Sequence, residues 1–131
     1  MLFHSFNTQE ERRKFGGSDF IELQYCRLEQ GSKIKKIVSV NAIENWKNDS
    51  LYVFGNDINE FLSHYGKIFN GGIYNNEKSG IVDVFGINYY PLEQSNLIIE
   101  KVMKEKLLDY QTLLNWLYNV KKYNGFYILG E

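Results

Sequence analysis

Residues 2–6 alternate Leu2, His4 and Phe6 against Phe3 and Ser5, the period of a short strand. Thr8-Gln9-Glu10-Glu11 follows with the spacing of a capping box, so a short helix is expected over residues 10–15, ended by Gly16-Gly17-Ser18. In the next run, Phe20-Ile21-Glu22-Leu23-Gln24-Tyr25-Cys26-Arg27-Leu28, the apolar Ile21, Leu23 and Tyr25 oppose Glu22 and Gln24. That alternation predicts a half-buried strand. Residues 34–40 are rich in β-branched side chains, and the turn Glu29-Gln30-Gly31-Ser32 before them predicts that the two runs form a hairpin. A polar connection over 41–49, broken only by Ala42, Ile43 and Trp46, leads to a short strand at Leu51-Tyr52-Val53-Phe54.

The period changes at Asn56-Asp57. Ile58, Phe61, Leu62, Tyr65, Ile68 and Phe69 recur at spacings of three and four, which predicts a helix with one core face, stopped at Asn70-Gly71-Gly72. Ile73-Tyr74-Asn75, a turn around residues 76–80, and a run from Ile81 to Tyr90 predict a second hairpin with a long central strand. Gly86 within it marks a bulge or a close backbone approach. Pro91 ends the strand and opens a helix to about Lys106, with Leu92, Ser95, Ile98, Ile99, Val102 and Met103 inside. Asp109 then caps a helix whose buried stripe is Tyr110, Leu113, Leu114, Leu117 and Tyr118, with Lys121-Lys122 in its last turn. Phe126-Tyr127-Ile128-Leu129 closes the series as a short buried strand. The expectation is a single domain over residues 1–131 of α+β class, a mixed, mainly antiparallel sheet with about three helices on one face or end.

Composition narrows the function. A chain of 131 residues, 44% hydrophobic and 24% charged, can bury a proper core and lies far from the disordered range. Its 16% aromatic content leaves rings for contact surfaces. A net charge of −1 supplies no basic field for nucleic acid, and Arg12-Arg13-Lys14 and Lys35-Lys36 are short runs. No apolar stretch reaches the length of a membrane span, and residues 1–14 lack the order of a signal peptide, so a cytoplasmic protein without a membrane partner is expected. The lone Cys26 has no internal disulfide partner and reads as a small buried hydrophobe.

Candidate chemistry is sparse. His4 and His64 are the two histidines, and neither has metal-ligand spacing, so no metal is expected. Either histidine beside a carboxylate would make a small acid–base enzyme, and that remains the alternative reading, together with a subunit or adaptor of a stable assembly. Gly16-Gly17 and Gly71-Gly72 lack the strand–loop–helix context of phosphate loops, and no cofactor is expected. Carboxylates gather along the chain near Trp46, at Glu44, Asp49, Asp57 and Glu60. Acids that steer a cationic partner beside aromatic anchors are the equipment of a protein-binding surface. The candidate partner-binding residues are therefore Glu44, Trp46, Asp49, Asp57 and Glu60, with the rings of Tyr74, Tyr89 and Tyr90 as a second group.

The stretches Asn45-Trp46-Lys47-Asn48-Asp49-Ser50-Leu51-Tyr52-Val53, residues 80–91 and Tyr123-Asn124-Gly125-Phe126-Tyr127-Ile128-Leu129-Gly130, within the arrangement of the whole chain, resemble small bacterial immunity proteins of polymorphic or contact-dependent growth inhibition toxin systems. The resemblance implies a non-enzymatic cytoplasmic inhibitor that binds and neutralises one cognate toxin domain, often a nuclease, in a tight complex. It carries no motif that assigns binding residues.

Overall fold

The computed structural model describes residues 1–130. In chain order it contains α1 (Gln9–Gly16), β1 (Phe20–Tyr25), α2 (Ile34–Ile37), β2 (Leu51–Phe54), α3 (Ile58–Tyr65), β3 (Gly72–Ile73), β4 (Ser79–Gly80), β5 (Ile87–Tyr90), α4 (Leu92–Glu105), α5 (Tyr110–Leu117) and β6 (Phe126–Gly130). Short 3₁₀ helices at Gly55–Asp57 and Tyr118–Lys122 precede α3 and follow α5. The strands form one sheet in the order β2-β1-β6-β5-β3-β4, and every pair is antiparallel. The α+β class is as the periodicity indicates, with five α-helices rather than about three.

Period-2 alternation divides the sheet into two unlike faces. Ile21, Leu23, Tyr25, Leu51, Val53, Tyr90, Phe126 and Ile128 meet α3, α4 and α5 in the main core. The helices reach it through the stripes that their spacing sets: Phe61 and Tyr65 from α3, Ile98 and Val102 from α4, Leu113, Trp116 and Leu117 from α5. Met103, expected inside, is exposed in the last turn of α4, where its sulfur accepts the hydroxyl of the likewise exposed Tyr118.

The opposite face corrects the half-buried reading of β1. All six of its residues are buried, and Glu22 and Gln24 are only 5% and 1% exposed. Their face is covered by α1, α2 and the connection between α2 and β2, with Ile37 and Val38 packed on Tyr89, Tyr127 and Leu129. Residues 34–40 are therefore not a strand. Ile34, Ile37 and Val38 carry the three–four spacing of a helical turn, and Ile37 and Val38 donate their N–H groups to the Lys33 and Ile34 carbonyls. Their tertiary contact overrides the β-branched propensity. The expected strand over 81–90 is likewise shorter. Asp83 Oδ1 accepts the Phe85 N–H, and Asn88 bonds the backbone of Asp83 through both ends of its amide, so the chain turns before Ile87.

The N-terminal segment seals the edge of β2. His4 and Tyr52 exchange backbone hydrogen bonds of 3.0 and 2.8 Å. Asp109 has φ 57° and does not cap α5 in the ordinary way. Its carboxylate accepts the N–H groups of Leu2 and Phe3 and the Thr112 hydroxyl, which ties the start of the chain to α5. Thr8 caps α1, its Oγ1 accepting the Glu11 N–H at 3.1 Å, and the Glu11 carboxylate reaches back to accept the N–H of Asn7 rather than that of Thr8.

Tyr89 and Tyr90 correct a further expectation. They do not face outward: Tyr89 donates its hydroxyl to the Asn124 carbonyl and Tyr90 to that of Phe69, both within the core. Burial holds the phenols of Tyr25, Tyr52, Tyr65, Tyr89, Tyr90 and Tyr127 protonated well above the ordinary tyrosine range. Above about pH 10 the unfolded chain releases these protons while the folded chain keeps them, so stability is complete below that pH and falls as pH rises. In an alkaline titration read by phenolate absorbance and far-UV circular dichroism together, these six should ionise only as the fold is lost. Ionisation of all tyrosines with the circular dichroism intact would contradict their placement.

Candidate functional site

Two clefts flank α1. The first has a volume of about 490 Å³, within the range of ligand pockets. One wall is made of rings. Phe15 at the end of α1 lies 4.7 Å from the His4 ring and 5.3 Å from Phe54 at the end of β2, and His4 lies 5.8 Å from Phe54. Phe15 is 59% exposed and Met1 85%, so the rim is apolar and open to water. The other wall carries Asp19 and Asp57, brought together because β1 and β2 pair through Phe20 and Phe54 and Gly55 donates its N–H to the Asp19 carbonyl. Among the described residues neither carboxylate has a hydrogen-bond or ion-pair partner.

Two glycines make this shape possible. A Cβ at Gly16 would stand 2.0 Å from the Phe54 ring, and one at Gly55 would stand 2.1 Å from the Asp19 carboxylate. Absence of a side chain lets the ring and the acid close over the backbone.

The second cleft, about 300 Å³, lies between α1 and the connection that carries Ala42, Ile43 and Trp46, with Glu22 at its floor. Glu22 Oε2 accepts from Gln24 Nε2 at 3.0 Å and from Ser50 Oγ at 2.7 Å. Trp46 Nε1 donates to the Tyr52 hydroxyl. Arg12 is turned inward from a basic run that reads as surface: its guanidinium lies 4.3 Å from the centre of the Phe20 ring and donates to the Gly17 carbonyl at 2.6 Å. This anchors α1, whose eight residues are too few to hold a helix alone.

The acids that cluster in sequence around Trp46 separate in space. Glu44 is exposed in the turn held by Asn41, near Trp46 and the second cleft. Asp57 lines the first cleft, and Glu60 is exposed in the first turn of α3. Asp49 points elsewhere, pairing with Arg27, which stacks on Tyr123 at 4.9 Å. Tyr74 is half-buried and closes its own loop by donating to the Ile81 carbonyl. Asp19, Phe15 and Phe54 were not among the candidates. Phe15 did carry a signal: it is the one apolar residue of a very polar helix and stands against two glycines.

His4 touches rings and has no hydrogen bond from its imidazole among the described residues, and His64 lies outside both clefts. Cys26 is buried and accepts from the Tyr127 hydroxyl at 3.4 Å. Among the described residues, no three His, Cys, Asp or Glu side chains gather as metal ligands, and no helix is long and apolar enough to cross a membrane.

Compared with protein-family models, curated proteins and solved structures, the chain has no match.

Gly16→Ala tests the ring wall. The added methyl collides with Phe54, so a loss of about 1–3 kcal/mol in urea denaturation is expected, with displaced Phe54 ring resonances. An unchanged midpoint and unchanged ring shifts would show that Phe54 does not pack on Gly16.

Proposed function

We propose that the chain is an immunity-type inhibitor that binds one protein partner, a cognate toxin domain, through the surface around the first cleft, and that it acts in the cytoplasm of the cell that makes the toxin. One observation carries this reading: two carboxylates without partners, Asp19 and Asp57, line one open cleft together with an exposed phenylalanine and an exposed methionine. The carboxylates of Glu22, Asp83 and Asp109, by contrast, are held by internal hydrogen bonds. Charges left unpaired beside apolar surface suit an interface, because acids accelerate encounter with a cationic partner and the rings anchor it once water leaves. A nuclease toxin has such a cationic surface, since its substrate is a polyanion. Covering that surface with acids and rings would block the substrate. The resemblance to immunity proteins points the same way.

An acid–base enzyme is the second reading, favoured by the position of His4 on the same cleft as Asp19 and Asp57. His4→Ala separates the two by turnover: it abolishes that of an acid–base enzyme, whereas an inhibitor has none to lose.

Capture of tagged protein from the producer's lysate, followed by mass spectrometry after a salt wash, supplies the partner. With that partner, the double substitution Asp19→Lys and Asp57→Lys should slow association at least about tenfold at low ionic strength and flatten its salt dependence. Rates equal to those of the unaltered protein would remove these acids from the interface.

A further inference from the structure

We propose that the first cleft is a socket for a single arginine side chain presented by the protein partner. The inference rests on the protein-binding reading above and assigns the chemistry of the contact. The chain already contains the filled version of this arrangement. Arg27 lies over the Tyr123 ring, with Tyr25 beside it, while its guanidinium pairs with Asp49, so aromatic rings and one carboxylate hold one arginine. Arg12 repeats the ring half of the motif over Phe20. At the cleft, the exposed ring of Phe15 lines the same opening as Asp19 and Asp57, and no Lys or Arg of the chain lines it.

The alternatives fit less well. An anion would be favoured by the N-terminus of α3, which opens at this cleft, but Asp57 and Glu60 lie at that terminus and more than offset a partial charge of about half a unit. A lysine ammonium is a compact, strongly hydrated point charge that gains little from a ring face. A guanidinium is planar and weakly hydrated, stacks on the ring and offers several donors. It can therefore reach carboxylates that come from different segments of the chain, Asp19 before β1 and Asp57 after β2. An apolar side chain would leave both carboxylates desolvated and unpaired.

The test uses the whole chain, labelled with ¹⁵N, and the blocked tripeptide acetyl-Gly-Arg-Gly-amide, with matched lysine and citrulline peptides. The arginine peptide should give saturable amide shifts confined to residues 15–19 and 54–57, with affinity several-fold above lysine and at least about tenfold above citrulline, which keeps the shape without the charge. Asp19→Asn with Asp57→Asn should remove the shifts. Phe15→Ala, at an exposed position, should weaken binding while leaving the rest of the spectrum in place. Absence of local shifts with arginine, or equal shifts with citrulline, would overturn the socket. A preference for lysine would overturn the choice of arginine. The two readings fail separately: a captured partner that binds the double Asn variant as well as the unaltered protein rejects the socket and keeps the inhibitor, whereas peptide binding without any captured partner rejects the inhibitor and keeps the socket.

Discussion

The structure depends on the burial of β1 from both sides. It is a central strand, bonded to β2 and β6, and its alternate residues enter two different interiors. On the helical face this costs nothing special, because Ile21, Leu23 and Tyr25 meet three amphipathic helices. On the other face the sheet presents Glu22 and Gln24, and an unpaired buried polar group costs on the order of 1–3 kcal/mol. Cover there must bring partners as well as apolar surface. Ser50 donates to Glu22 and the Ala42 carbonyl accepts from the Gln24 amide, both from the connection between α2 and β2, while Gln24 Oε1 stays without a partner among the described residues.

That cover is thin, and its thinness produces the clefts. It consists of an eight-residue helix held by Arg12, a single turn at Ile34–Ile37 and an irregular connection. Where α1 ends, Phe15 is exposed and the His4 ring half-buried over the buried Phe54, and the loops on either side of β1 and β2 bring Asp19 and Asp57 to the gap. Rigidity comes from the strand pairing beneath, so the acids and rings are positioned by the sheet even though they sit at its margin. A site of that kind loses little side-chain freedom on binding, which favours affinity from a small area.

Elements with one strong period were legible in the sequence. The stripes of α3, α4 and α5, the Thr8 cap of α1, the alternating strand expected over 20–28, which ends at Tyr25, and the short apolar strands at 51–54 and 126–129 are all readable locally. Residues 34–40 misled because β-branched residues prefer strands while Ile34, Ile37 and Val38 keep helical spacing, and only the tertiary contact with Tyr89 and Tyr127 decides between them. Tyr89 and Tyr90 misled because nothing local shows that both faces of β5 are covered. The site was the least legible part: Asp19 and Asp57 are remote in sequence and meet only through the pairing of Phe20 with Phe54, whereas the acids near Trp46 are neighbours in sequence and diverge in space.

On the proposed function, this margin of the sheet, and not the helical face, meets the partner. Amide hydrogen exchange of the chain alone and in complex with the captured partner reads it directly. The account predicts slowed exchange at residues 14–19 and 54–57 with α4, α5 and the 81–86 loop unchanged. Protection confined to those helices or that loop, with 14–19 and 54–57 exchanging as in the free chain, would contradict it.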